Sequence, residues 1–294
     1  MSVLLCDSNC ELWYTRAEEL GLDYIPMPYY VQDKEYRYDL GKNTDFRAFY
    51  DAVRGGAVPK TQALNPEDYK EILTPYFEQG EDVLYISFSH KMSGTFNYLD
   101  IALRELKEKY PERKCTVFDT KGISLGAGIQ VEQAALMRKA GASDEEILTF
   151  LKEFTDRVAV YFVVDDLMHL KRGGRLSGFA AVAGTLLSLK PVLTFNEEGG
   201  LGVLTKVGGR KKAISTLAAH VIDELRDEDK YPVYIVDADC KEDGDRLRDL
   251  ILEKRPNANI VRQIVGPVIG SHCGPGTLGV IFVADRRPIP LKKD

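Results

Sequence analysis

The chain has 294 residues, of which 44% are hydrophobic and 29% charged, and this composition excludes a largely disordered protein. The length exceeds that of most single cores and therefore predicts two domains. A formal net charge of -6 excludes the broad basic surface that binds nucleic acid or anionic lipid, so any basic site must be local.

The first part of the chain alternates short apolar runs with amphipathic ones. The predicted strands are Val3 to Cys6, Tyr24 to Pro28, Asp82 to Ile86 and Cys115 to Phe118, with a small hairpin over Tyr29 to Tyr38. The predicted helices are one that ends near Leu20, then Asn43 to Val53, Pro66 to Gln79, Gly94 to Lys109, Leu125 to Lys139 and Ser143 to Arg157. This alternation predicts an α/β domain over residues 1–157, with a parallel sheet covered by helices on both faces.

The pattern changes after Arg157 to a mixed order of strands and helices. The predicted strands are Val158 to Val164, Pro191 to Phe195 paired with Leu201 to Lys206, Val233 to Val236 and Val280 to Val283. The predicted helices are Asp165 to Leu170, Ser177 to Leu189, Arg210 to Asp227 and Asp243 to Glu253. We therefore expect a second domain of mixed α+β type over residues 158–294.

Polar turns follow several of the predicted strands. Ser87 to Thr95 supplies hydroxyl groups and the free amides of a helix N-terminus, a combination that favours an anion such as a carboxylate or phosphate. For this segment alone, ordinary helix capping by Ser93 is the alternative. The turns Lys60 to Gln62 and Asp119 to Lys121 have the same polar character. Turns at the carboxyl ends of parallel strands meet at one edge of the sheet, so the three could surround one head group.

A run rich in glycine and proline, Gly266 to Gly276, predicts a backbone held in turns or close to another group. Within it, His272 could act as a general base, donate a hydrogen bond to a carboxylate, or be a buried structural imidazole. Cys273 is interpreted as a small core residue, because nothing beside it in the sequence would lower the pKa of its thiol.

Five cysteines without a CxxC pair predict neither a disulfide framework nor a zinc site, and they fit a reducing cytosol. No secretory leader pattern and no run of about 20 apolar residues is present, so we expect a cytoplasmic protein that handles any lipid without inserting stably into a membrane.

The residues offer two enzymatic alternatives. A serine hydrolase would use Ser93 or Ser124 with His272 and an aspartate, but Ser-Gly-Thr around Ser93 is a weak signal for a nucleophile. A kinase or nucleotide-binding protein is disfavoured because the chain has neither GxxxxGK[ST] nor GxGxxG after its first strand.

Taken together, the motifs resemble those of the DegV family of fatty-acid-binding (FakB-like) proteins over nearly the whole chain. The matching segments, in family order, are Asp7-Ser8, Pro59-Lys60-Thr61, Ser93-Gly94-Thr95, Asp119-Thr120 with Gly126-Ala127-Gly128, Leu170 to Ser177, Lys190 to Leu193, Gly209 to Ala213 and Gly266 to Gly279. The chain departs from the family pattern at Gln62-Ala63, Gly208 and Cys273.

The resemblance implies a long-chain fatty acid in an apolar tunnel between the two domains, with its carboxyl group near Thr61, Ser93 and His272. The ligand-binding residues that it implies are Thr61, Ser93, Gly94, Thr95, Asp119, Thr120 and His272. It also implies that a separate fatty acid kinase phosphorylates the bound acid to an acyl phosphate for bacterial phospholipid synthesis, and that this protein is not itself an enzyme. No cofactor other than the bound fatty acid and no metal is implied.

Two basic clusters lie in the second domain, Lys171 to Arg175 and Arg210 to Lys212. A solvated surface turn is the ordinary interpretation of such clusters. Because a carrier must also be recognised by its enzyme, we expect Arg172, Arg175 and Arg210 to contribute to kinase docking and not to fatty acid affinity. No arginine lies near Ser93 in the sequence, so we expect neutral hydroxyl groups to bind the head group without an arginine clamp. The remaining alternatives are an acyl hydrolase and a binding module for another apolar or phosphorylated metabolite.

Overall fold

A computed structural model describes residues 2–175 and 189–290. In these ranges the strands are β1 (Val3–Asp7), β2 (Asp23–Ile25), β3 (Pro28–Val31), β4 (Lys34–Arg37), β5 (Lys60–Thr61), β6 (Val83–Ser87), β7 (Cys115–Asp119), β8 (Val158–Val163), β9 (Leu189–Phe195), β10 (Leu201–Gly208), β11 (Val233–Asp237), β12 (Ile260–Ile264) and β13 (Leu278–Val283). The helices there are α1 (Tyr14–Leu20), α2 (Phe46–Arg54), α3 (Pro66–Glu78), α4 (Thr95–Lys109), α5 (Leu125–Lys139), α6 (Asp144–Thr155), α7 (Met168–Arg172), α8 (Gly209–Glu224), α9 (Lys241–Lys254) and α10 (Pro267–Cys273). None of these described helices is both long and apolar enough to cross a membrane.

The N-terminal sheet is parallel, with the strand order β2-β1-β6-β7. Its central strands are short apolar runs, and every residue of β6 is buried. Such strands form where a parallel sheet is covered on both faces, because no side chain then points to water. The sheet accordingly directs the turns after β1, β6 and β7 to one common edge.

Two helices of this domain begin where their capping residues predict. Asn65 accepts a hydrogen bond from the Asp68 amide, the Asp68 side chain accepts one from the Asn65 amide, and Pro66 occupies the first helical position of α3. Ser143 and Glu146 form the same reciprocal capping box at the start of α6. These caps satisfy amides that would otherwise lack partners, so the helix starts are encoded locally.

The C-terminal sheet has six strands in the order β10-β9-β8-β13-β11-β12, and only β11 and β12 pair in parallel. Side chains alternate along β8: Ala159, Tyr161 and Val163 pack in the core beneath α8 and α9, whereas Val160 and Phe162 point to the opposite face. The sheet therefore has one face covered by its own helices and a second apolar face directed toward the N-terminal domain.

A small third sheet, in the order β4-β3-β5, places Thr61. Tyr29 on β3 pairs with Thr61 on β5, and Tyr30 pairs with Lys60. The hairpin of β3 and β4 was predicted, but β5 is only two residues long and was not. This pairing fixes the backbone position of Thr61.

The predicted fold class is confirmed: the chain is an α/β protein with a parallel-sheet N-terminal domain and a mixed-sheet C-terminal domain. The boundary at residue 157 stays a prediction.

Strand β12 was not predicted. The run Gly266 to Gly276 was expected to be held in turns or close to another group, and the close approach is present, since a Cβ at Gly270 would lie 2.8 Å from the Tyr50 hydroxyl. Its first part is a helix and not a series of turns, because Pro267 at the first helical position starts α10, which ends at Gly274 with a φ of 74°. The predicted helix Ser177 to Leu189 lies, except for its last residue, outside the described residues.

Close contact between α5 and the turn after β1 explains the Gly126-Ala127-Gly128 sequence. A Cβ atom at Gly128 would lie 2.4 Å from the carbonyl oxygen of Cys10, and one at Gly126 would lie 2.9 Å from Val160 Cγ2. The Ser124 amide also donates a hydrogen bond of 2.8 Å to the Asn9 carbonyl. Glycine is therefore required where the helix approaches backbone.

We predict that Gly128→Ala destabilises the protein, although alanine is the better helix former by about 1 kcal/mol. Forcing a methyl group against the Cys10 carbonyl should outweigh this gain, since overpacking costs about 1–3 kcal/mol. Urea unfolding followed by circular dichroism should show a lower midpoint. Gly208→Ala is the control, because a Cβ there meets nothing within 4 Å. An unchanged or raised midpoint for Gly128→Ala would contradict the close contact.

Candidate ligand-binding site

A cavity of about 320 Å³ lies between the carboxyl edge of the parallel sheet and the inward face of the mixed sheet. The mixed sheet contributes Val160 and Phe162 from β8 and Gly279 and Ile281 from β13. The register pairs Val160 with Ile281 and Phe162 with Gly279, so these residues form two adjacent rows on one face. Gly279 has no side chain, and a Cβ atom there would lie 3.1 Å from both the Phe162 and the Val236 side chains, so these two side chains close over it.

The opposite wall comes from the turns that follow the parallel strands. Asn9 follows β1, Phe88 and Met92 to Gly94 follow β6, and Ile123 and Ser124 follow β7. Parallel α/β sheets bind ligands at this edge. The lining is mainly apolar and includes Met27, Phe88, Met92, Ile123, Val160, Phe162, Leu170, Phe195, Leu201, Val236, Val265, Val268, Ile269 and Ile281. Such a surface fits an apolar ligand with a small polar group.

Four of the seven predicted ligand-binding residues line this cavity: Thr61, Ser93, Gly94 and His272. The Thr61 hydroxyl and His272 Nε2 are 2.7 Å apart, although the two residues are 211 positions apart in the sequence. The Ser93 hydroxyl lies 3.0 Å from the Thr95 hydroxyl. The fold therefore brings hydroxyl groups from β5 and the start of α4 to one cavity.

The other three predicted residues are not among the described residues that line the cavity. Thr95 is buried behind Ser93, and the Thr120 hydroxyl donates to the Ser87 carbonyl at 2.9 Å. Asp119 Oδ2 lies 2.5 Å from His90 Nδ1. These side chains hold the turns around the site. From the turn after β7, the residues that line the cavity are Ile123 and Ser124.

His272 is neutral at neutral pH. Burial, and secondarily the positive charge of Arg175, lower the pKa of its imidazole to about 4. Nδ1 has no hydrogen-bond partner among the described residues, and Gly173 lies so close that a Cβ there would be 2.3 Å from this atom. A buried unpaired N–H is rarer than an unpaired acceptor, so this setting favours the tautomer in which Nε2–H donates to Thr61. The Thr61 proton is then free to point toward a ligand.

An arginine does lie beside Ser93, so the expectation of none is wrong. Arg175 follows α7 and lines the cavity. Its Nε and Nη2 donate to the Met92 carbonyl at 3.0 and 2.9 Å, and Met92 immediately precedes Ser93. The two positions are 83 residues apart in the chain, which hid the contact from sequence analysis. The site thus combines neutral hydroxyl groups with one guanidinium.

The other predicted partner-binding residues differ in exposure. Arg172 is exposed, and its Nε donates to the Met168 carbonyl one helical turn earlier, at 3.2 Å. Arg210 is half-buried, with its Nε 2.7 Å from Asp243 Oδ2. Lys211 and Lys212 beside it are exposed. Of the three predicted arginines, Arg172 is thus the most accessible to a partner.

Sequence analysis overlooked a Gly-X-Ser-X-Gly sequence over Gly122 to Gly126. It connects β7 to α5 and holds Ser124 at φ 54° and ψ -147°, a strained conformation for a residue other than glycine. The Ser124 hydroxyl donates to Glu11 Oε2, and the Gly266 amide donates to Glu11 Oε1 at 2.5 Å. Burial raises the pKa of the Glu11 carboxyl to about 7, while these hydrogen bonds oppose the rise. The Gly-X-Ser-X-Gly sequence between a predicted strand and a predicted helix is the signal that could have identified Ser124 as a candidate site residue.

Within residues 2–175 and 189–290, no three side chains of His, Cys, Asp or Glu are grouped so that they could hold a metal ion.

Comparison with known proteins agrees with this architecture. A family model described as "Uncharacterised protein, DegV family" matches residues 2–285. A DegV domain-containing protein of Clostridium perfringens is 37% identical over 285 residues, which cover 97% of this chain and 98% of that protein.

Solved structures give the same result. A fatty-acid-binding DegV family protein from Thermus thermophilus is 31% identical, with a TM-score of 0.82 over 96% of this chain and 99% of that one. DegV of Bacillus subtilis, described as a fatty acid binding protein, is 28% identical, with a TM-score of 0.83 over 96% and 98% of the two chains. These matches confirm the resemblance that the sequence motifs indicated. The chain therefore belongs to the DegV family.

Proposed function

We propose that the protein binds one long-chain fatty acid in the cavity and presents the carboxylate to a fatty acid kinase, without chemistry of its own. The observation that carries this proposal is a mainly apolar cavity in which Thr61, Ser93 and His272 supply a small polar group. The related proteins of Thermus thermophilus and Bacillus subtilis, described as binding fatty acids, support it. By the family resemblance, the acyl phosphate made by the kinase enters phospholipid synthesis in the cytoplasm.

The acyl chain supplies most of the binding free energy in this proposal. Burying one methylene contributes about 0.8 kcal/mol, so about 15 methylenes offer on the order of 12 kcal/mol before the costs of association. The polar residues Thr61, Ser93 and His272 then need to orient the carboxylate and need to contribute little to the binding free energy. Hydroxyl donors and the positive end of α4 suit this role, because both favour an anion.

Thr61 and Ser93 approach the carboxylate from two different elements. With His272 donating to Thr61, the Thr61 hydroxyl acts as a donor toward the ligand. Ser93 Oγ accepts from the Thr95 amide at 3.3 Å and keeps its own proton for the carboxylate or for Thr95. Arg175, held on the Met92 carbonyl, adds a positive charge beside them.

A second candidate function is acyl hydrolysis by Ser124, which the strained Gly-X-Ser-X-Gly turn favours. In that mechanism Ser124 Oγ would attack the carbonyl carbon of an acyl ester while Glu11 takes its proton and returns it to the departing alcohol, and water would then release the fatty acid from Ser124. Glu11, however, is completely buried and also accepts the Gly266 amide, so it connects elements of the fold as well as contacting Ser124. We therefore favour the carrier.

We predict that the purified protein retains about one long-chain fatty acid per chain and does not hydrolyse acyl esters. Organic extraction followed by mass spectrometry measures the first quantity, and release of p-nitrophenol from long-chain esters measures the second. Ester turnover that is lost in Ser124→Ala would favour the hydrolase. Recovery of only non-acyl ligands from cells rich in free fatty acid would reject both acyl functions.

We predict that Ser93→Ala and Thr61→Ala each weaken fatty acid binding or delivery to the kinase. Loss of one hydrogen bond to a charged group costs about 1.5–3 kcal/mol, which corresponds to roughly 10-fold to 150-fold in Kd. Titration with a fluorescent fatty acid measures affinity, and acyl phosphate formation with purified kinase measures delivery. Ser215→Ala is the matched control, because its hydroxyl bonds only the Lys212 carbonyl within α8. Unchanged affinity and delivery in both site variants would remove these residues from the site.

We predict that reversing Arg172 and Arg210 to glutamate weakens association with the kinase and leaves fatty acid affinity nearly unchanged. Local positive charge on an acidic protein accelerates association with an acidic surface, so the effect should shrink as salt is raised. Surface plasmon resonance measures association, and fluorescent titration measures acyl binding. Arg175 lines the cavity, contrary to the expectation that it contributes to docking alone, so Arg175→Glu should impair both quantities.

Arg47→Glu on α2 is the control for these reversals, since its side chain is 91% exposed and belongs to neither cluster. Loss of acyl binding with association intact in Arg172→Glu and Arg210→Glu would place these arginines at the ligand and reject the docking proposal.

A further inference from the structure

Two polar side chains interrupt the apolar lining away from the predicted head-group residues. Asn9 follows β1 and Ser124 precedes α5, and both line the cavity although they are only 3% and 8% exposed. Their backbones are joined by the hydrogen bond from the Ser124 amide to the Asn9 carbonyl. The two side chains therefore belong to neighbouring backbone segments on one wall.

The Asn9 side chain lacks hydrogen bonds that a buried amide normally makes. Its Oδ1 is buried without a partner among the described residues, and its amide nitrogen donates to none of their side chains or carbonyls. A buried polar group left unpaired costs about 1–3 kcal/mol. The amide nitrogen, which has no partner in the described part of the chain while Asn9 lines the cavity, points to an acceptor of the ligand as its partner.

Ser124 is restricted in what it can offer to that ligand. Its proton is committed to Glu11, which is itself 0% exposed and faces the Gly266 amide on its other oxygen. While Glu11 is ionised, the form that predominates above its pKa of about 7, the oxygen of Ser124 therefore presents lone pairs, and no proton, to the cavity. A carboxylate has only acceptors, so it would be repelled there by both Ser124 and Glu11.

A hydroxyl group matches this wall better than a methylene or a carboxylate. It can donate to Ser124 Oγ and accept from the Asn9 amide nitrogen, so each of these two atoms gains a partner, while the buried Asn9 Oδ1 stays unpaired among the described residues. A methylene would leave both unpaired. A keto group could accept from Asn9 but would place a second acceptor against Ser124.

We infer that Asn9 and Ser124 form a hydroxyl-binding subsite, and that the ligands this protein binds best are long-chain fatty acids with a hydroxyl group along the chain. This inference rests on the proposed fatty acid binding and specifies its ligand class. The head-group residues Thr61 and Ser93 keep their role, because the acidic surroundings of Ser124 direct the carboxylate away from it.

The test compares Kd values of the delipidated protein for stearic acid, for hydroxystearic acids with the hydroxyl at successive carbons, and for the matching oxo acids. Displacement of a fluorescent fatty acid provides the measurement. At least one hydroxy isomer should bind roughly threefold to tenfold more tightly than stearic acid, the gain expected from one neutral hydrogen bond. Its oxo counterpart should show less gain.

The readout for variants is the ratio of the stearate Kd to the hydroxystearate Kd, measured on the same variant. In both Asn9→Leu and Ser124→Ala this ratio should fall to about one or below. Asn97→Leu, at an exposed position of α4, carries the same substitution outside the cavity and should keep the wild-type ratio.

Each outcome decides one question. If stearic acid binds but no hydroxy isomer binds more tightly, Asn9 and Ser124 hold only water and the subsite is rejected. If the preference exists but survives in both variants that fold, it arises elsewhere and the assignment to Asn9 and Ser124 is overturned. If neither stearic acid nor any hydroxy isomer binds, the proposed fatty acid binding itself fails.

Discussion

The buried carboxylate of Glu11 joins the elements on which the cavity depends. It accepts hydrogen bonds from the Ser124 hydroxyl at the start of α5 and from the Gly266 amide just before α10. The Glu11 carbonyl also accepts from the Gln263 side chain on β12. An unpaired carboxylate in this position would be strongly destabilising, so its partners must stay in place for the chain to fold. The N-terminal turn, the edge of the parallel sheet and the C-terminal domain are thereby held in one arrangement.

That arrangement explains why the polar and apolar parts of the site come from different kinds of structure. The apolar wall of the cavity is one face of the mixed sheet. Its β-branched and aromatic side chains alternate along each strand with side chains that point to the other face, into the core beneath α8 and α9. The polar groups come from turns and helix starts, where hydroxyl groups and free amides occur for local reasons of capping. Packing these two surfaces against each other creates a cavity with a long apolar wall and a few fixed donors.

Much of the fold could be predicted because its signals are local. The apolar run of β6 and the capping boxes at Asn65 and Ser143 identify their elements within a few residues. Helix α10 was not predicted because it lies in the glycine-rich run Gly266 to Gly276, which has low helix propensity. It forms because its small residues pack closely, with Gly270 against Tyr50. Local sequence also could not reveal that Arg175 reaches Met92, or that His272 reaches Thr61, because those contacts depend on how the two domains meet.

The hydrogen bonds and charges of Arg175 and His272 suit a site that binds a carboxylate reversibly better than one that binds it permanently. Arg175 already directs two N–H groups at the Met92 carbonyl, and burial lowers the pKa of its guanidinium. In the proposed fatty acid complex its charge would therefore orient the carboxylate without a bidentate ion pair, the strongest interaction of an arginine with a carboxylate. His272 is kept neutral by burial, so it adds a hydrogen bond through Thr61 and no second positive charge. In the proposed function, a carboxylate held mainly by hydroxyl groups would be transferred to another active site at modest cost, while the buried acyl chain would keep the ligand in place until then.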